Sequence, residues 1–147
     1  EINAVGWQLT HEVWTNPNRV YKDFNKFNYF DPSLGWSSGP TALHLASEEE
    51  RNHNEIYILG FDYKGTKVNN KINNIYANTK NYKTSEDTAT YHGNWARQTG
   101  IVIQKNPNKR YIRVASKEEP YLPDNLKVWG NLHHMSIEEF QDFFKIL

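Results

Sequence analysis

The chain has 147 residues, with 17 basic and 17 acidic side chains and a formal net charge of zero. That length suits a single domain, 1–147, with a real core, and the balanced charge argues against a polyanion-binding surface and so against nucleic acid as a partner. Cysteine is absent, which excludes disulfides, thiolate metal sites and a cysteine nucleophile.

No apolar run approaches the roughly 18 residues a membrane span needs. No signal peptide is visible, and a cytoplasmic location is the expectation. Eighteen Asn residues, with frequent Lys, Ile and Tyr, suit an AT-rich genome such as that of a phage or a marine or host-associated bacterium. Aromatics make up 14% of the chain; they read first as core packing and second as surfaces for stacking sugars or bases. The chain opens on Glu1 rather than Met, as expected of a processed protein or a piece of a longer one.

In chain order, Val13 to Thr15 reads as a short strand running into the turn Asn16-Pro17-Asn18, with Asn16 a candidate polar ligand contact. Tyr21 to Phe30 alternates aromatics with Asn and Lys, and reads as a short helix or an irregular aromatic segment. A loop, Asp31 to Gly35, precedes the most informative stretch. Ser37-Ser38-Gly39-Pro40 predicts a helix start: a serine hydroxyl as cap, Gly39 admitting a ligand close to the backbone, and Pro40 in the first turn. The helix runs from about Pro40 to Asn52. A strand follows from about Glu55 to Phe61, almost wholly apolar, as expected of a central parallel strand. It ends on Gly60-Phe61-Asp62-Tyr63. Carboxylates at such strand ends face the ligand crevice of α/β sheets, which marks Asp62. Free N–H groups at the helix start attract a phosphate or carboxylate.

Residues 64–91 read as a long polar, Asn-rich loop, a flexible excursion of the kind that is often functional. His92 stands where this loop enters a helix of about Gly93 to Asn106, and an imidazole there suits a general base near neutral pH. Gly100 weakens that helix. Tyr111 to Ala115 is a β-branched and aromatic strand, and Leu126 to Trp129 a short strand. Ser136 and Glu139 form a capping box, and Met135 and Phe140 a hydrophobic staple, for a C-terminal docking helix. His44 reads as packed. The vicinal pair His133-His134 is a poor chelate, because neighbouring side chains diverge, so no metal is expected. The alternation predicts a three-layer, Rossmann-like α/β fold with a parallel sheet and flanking helices.

These motifs resemble the C-terminal half of the bacterial sialyltransferase-like proteins, the Campylobacter-type sialyltransferases and the motility-accessory-factor glycosyltransferases. That family carries a small-Ser-Gly turn, an Ala-rich helix and a strand of the type E-I-Y-L-x-G-x-D-[FY]; here these are Ser37-Ser38-Gly39, Ala42 to Ala46, and Glu55 to Tyr63. A histidine before a helix and strand follows in the same order. Members begin with a strand and a Gly-Asn-Gly-Pro-Ser-type loop, and no such segment stands in this sequence: either the chain is truncated at its N-terminus relative to the family or the protein never had that segment. The resemblance implies a Rossmann-like fold, a nucleotide-sugar donor such as CMP-sialic acid, and a carbohydrate acceptor, with no metal and no cofactor. Carried over by position, it implies donor contacts at Ser37, Ser38, Gly39, Asp62 and Tyr63 and a base at His92. A homo-oligomer is compatible with it. The alternative is a non-catalytic module of a phage-encoded kind that captures a small anion, a nucleotide or a protein.

Overall fold

The computed structural model describes residues 12–16, 27–30, 33–65, 69–74, 76–80, 82–117 and 121–145. The chain divides into two compact units, Glu1–Trp36 and Ser37–Leu147. In the first, β1 (Trp14–Thr15) pairs in parallel with β2 (Asn28–Tyr29). The Asn28 N–H donates to the Val13 carbonyl at 2.8 Å, and the Trp14 and Phe30 rings lie 5.2 Å apart. The predicted strand at Val13 to Thr15 is present. The aromatic segment ends as β2, and its residues 21–26 lie outside the described ones.

The second unit runs α1 (Ser38–Ala46), β3 (Glu55–Ile58), α2 (Gly93–Lys105), β4 (Arg110–Ala115), β5 (Leu132–Ser136) and α3 (Ile137–Phe144). The three strands form a parallel sheet in the order β3-β4-β5, with Ile56 opposite Tyr111 and Tyr111 opposite Leu132. Side chains alternate across the sheet. Tyr111 points to one face, where its hydroxyl meets Ser47 Oγ at 2.9 Å just past α1. Tyr57 points to the other, packing against Phe140 and Phe144 of α3 at 5.6 and 5.1 Å between ring centres. Helices therefore flank a parallel sheet on both faces, a Rossmann-like α/β arrangement. The core centres on Val102 and Ile103 of α2 and Tyr111 of β4, all fully buried.

Local chemistry explains where the elements stop. The helix expected to reach Asn52 ends at Ala46, because the Ser47 hydroxyl donates to the Leu43 carbonyl at 2.7 Å and competes with the helical ladder. A 3-10 turn, Glu49–Arg51, follows, and Asn52 turns left-handed at φ 52°. The strand expected to reach Phe61 ends at Ile58, since Gly60 at φ 76° breaks the ladder. The helix predicted from Gly93 forms through Gly100, which is buried. A Cβ there would lie 3.2 Å from Asn125 Nδ2, so the glycine admits the following turn against the helix.

That turn corrects the strand expected at Leu126 to Trp129. Asp124–Leu126 is a 3-10 turn with Leu126 buried, and the strand lies later, at Leu132–Ser136. The described part of 64–91 is pinned at its base: the Ile72 N–H donates to the Asp87 carbonyl at 3.0 Å, and the Ala89 N–H to the Asn70 carbonyl at 2.8 Å. The α3 capping box is present, with the Glu139 N–H donating to Ser136 Oγ at 3.0 Å and the Ser136 N–H to Glu139 Oε2 at 2.7 Å.

Candidate functional site

Ligands of open α/β sheets bind outside the carboxyl ends of the strands. At the end of β3, Gly60 redirects the chain and places Phe61, Asp62 and Tyr63 in succession. The Phe61 ring lies against Gly39, so close that a Cβ there would fall 2.9 Å from its Cζ. The Phe61 carbonyl accepts from Arg113 Nε at 2.9 Å. The Tyr63 ring lies over the Arg113 guanidinium, 5.6 Å away, and its hydroxyl donates to Thr99 Oγ1 at 3.0 Å. Burial pushes the Tyr63 phenol up to about 12, against smaller opposing effects of the Thr99 bond and the Arg113 charge. Burial also lowers the Arg113 pKa, while Tyr63 and Asp62 oppose that shift.

Beside this cluster opens a cleft of about 670 Å³, bordered by Tyr63, Lys64, Thr90, Tyr91, His92 and Tyr121 among others. Its volume falls within the range of small-molecule sites. His92 is the N-cap residue of α2. Both its ring nitrogens are shut from solvent and neither has a hydrogen-bond partner. The ring packs against Trp95 at 4.8 Å. Burial pulls its pKa below the ordinary histidine value, and the Asp62 carboxylate partly opposes that. The partial positive charge of a helix N-terminus acts in the same direction as burial. A neutral imidazole with an unoccupied lone pair can accept a proton. Tyr91 and Tyr121 offer ring faces, and Lys64 Nζ sits 5.7 Å over Tyr121.

The structure brings Tyr63 and His92 together on this cleft and sets Asp62 close enough for its charge to act on His92. Asp62 is exposed, and its Oδ2 accepts from Asn73 Nδ2 at 3.3 Å. Ser37, Ser38 and Gly39 start α1 but are not among the residues bordering the cleft. The expected hydroxyl cap is not made there: Ser37 is the N-cap without a side-chain bond, and its N–H donates instead to Gln98 Oε1 at 3.1 Å. The space at Gly39 expected to admit a ligand is filled by Phe61. Asn16 lies in the first unit, where its Oδ1 accepts from Ser33 Oγ at 3.0 Å. His133 and His134 are exposed on β5, and no cluster of three metal-binding side chains occurs among the described residues.

Sequence reasoning missed Arg113, Gln98 and Thr99, all buried. The available signal was the single cation inside Tyr111-Ile112-Arg113-Val114-Ala115, since a core strand admits a charge only for a purpose. No described helix is long and apolar enough to cross a membrane. No family model matches the chain, and neither a curated protein nor a solved structure matches it significantly.

Proposed function

We propose that the second unit binds a nucleotide or nucleotide sugar in the cleft bordered by Tyr63 and His92, and transfers the sugar to an acceptor hydroxyl by a sialyltransferase-type route without a metal. The observation that carries this reading is His92, a histidine held neutral with both nitrogens unpartnered on the wall of the cleft. In the transfer, the His92 ring turns from Trp95 to bring a nitrogen to the cleft, and the acceptor O–H gives its proton to that nitrogen as its oxygen bonds the anomeric carbon. The bond from that carbon to the phosphate oxygen breaks, and the nucleotide leaves with the electron pair. Stacking on Tyr91 or Tyr121 suits a base or a sugar face. The Ser-Gly helix and Gly-Phe-Asp-Tyr strand add the family resemblance.

Calorimetric titration with CMP, UDP and their sugars tests the idea. Binding is expected, and His92→Ala is expected to abolish turnover while keeping that binding. No binding by any of these ligands to the folded protein would overturn the proposal. A second reading rests on Phe61, whose ring fills the space beside Gly39. A covered Ser-Gly turn favours a non-catalytic module that captures a nucleotide or small anion. Binding without turnover in the parent protein would decide for that module.

A further inference from the structure

Arg113 is 3% exposed, and its Nη1 is shut from solvent without a hydrogen-bond partner. Burying a guanidinium is costly unless its donors are met. Its Nε is met by the Phe61 carbonyl. Among the described residues, no carboxylate oxygen hydrogen-bonds the group, and exposed Asp62 instead accepts from Asn73. A residue needed only to hold the Phe61 carbonyl would use Nε alone. The guanidinium is a planar fork whose geometry matches a phosphate, and here part of that fork is unused. Its position also fits, because Arg113 stands opposite Ile58, the last residue of β3.

We infer that Arg113 is a phosphate anchor, holding the phosphate of the cleft's ligand through its unpaired Nη1; the inference rests on reading the cleft as a nucleotide site. Tyr63 covers the approach. It borders the cleft, its ring lies over the guanidinium, and its backbone sits at φ 59°. Left-handed backbone is disfavoured for a residue with a Cβ, and such strain gathers at ligand clamps. Displacement of the Tyr63 ring as the phosphate arrives, at the cost of its Thr99 bond, opens that approach to Nη1.

The test compares CMP with cytidine by calorimetry. CMP is expected to bind the parent at least about tenfold tighter, the scale of a charge-assisted hydrogen bond. Arg113→Met is expected to erase that preference and leave cytidine affinity unchanged. A preference that survives in folded Arg113→Met overturns the inference and leaves the nucleotide reading standing. The parent protein supplies an arm that needs no variant. Titration with inorganic phosphate is expected to shift the Arg113 guanidinium nitrogen resonances to saturation, and absence of any shift overturns the inference. If neither CMP nor cytidine binds the folded parent, the nucleotide reading fails, and the phosphate titration alone judges Arg113.

Discussion

Tyr63 is fixed at its hydroxyl by Thr99, at its ring by Phe61 and Arg113, and at its backbone by a left-handed φ. Its phenol stays protonated up to about 12 in the folded protein, whereas an unfolded tyrosine ionises near about 10. The folded state thus holds a proton that the unfolded state releases, and stability is expected to fall as pH rises through that window. Equilibrium urea unfolding at stepped alkaline pH checks this, with Tyr63→Phe showing the shallower loss. At neutral pH that variant is expected to lose about 1 kcal/mol for the Thr99 bond. His92 acts on the acid side. Its folded pKa is depressed, so the unfolded chain takes up a proton first and stability is lost as pH drops below the ordinary histidine value. His92→Gln is expected to flatten the melting temperature against pH on that side. Some slope remains from His134, which burial and the Arg113 charge shift in the same direction.

At the scale of elements, legibility followed local chemistry. The capping box of α3 was readable because its partners stand three residues apart and answer each other's N–H groups. Ser136→Ala is expected to cost about 1 kcal/mol, seen as a lower urea midpoint with an unchanged slope. The strand β4 was readable from its β-branched and aromatic residues, while β5 was not, because Leu-His-His-Met-Ser has neither alternation nor a continuous apolar stretch and takes its conformation from pairing with β4. The excursion after β3 looked loose because its composition is polar, yet Gly65 lies within its closure. A Cβ on Gly65 would fall 2.5 Å from the Lys71 carbonyl oxygen and 2.7 Å from the Ala89 Cβ. Backbone cannot swing aside as a side chain can. Gly65→Ala is expected to destabilise by about 1–3 kcal/mol, and limited proteolysis would then cut within 69–90 before the rest of the unit.

For the molecule as a whole, the sequence pointed correctly to a parallel sheet flanked by helices; the carboxyl end of β3 as its functional edge belongs to the proposed function. The sequence could not show that Phe61 would cover Gly39 or that Arg113 would sit behind Tyr63, since both depend on packing between elements far apart in the chain. One further long-range tie is Asn131. Its Nδ2 donates to the carbonyls of Ile103, Asn106 and Lys109, at 3.3, 3.1 and 3.2 Å. An amide nitrogen carries two hydrogens, so three acceptors share them, and the end of α2, the turn before β4 and the approach to β5 hang on one side chain. These segments should therefore open together. Native-state hydrogen exchange is expected to show the amides of α2's last turn, β4 and β5 with a common opening free energy. Asn131→Asp, which turns a carboxylate toward those carbonyl oxygens, is expected to split that unit into separately exchanging pieces.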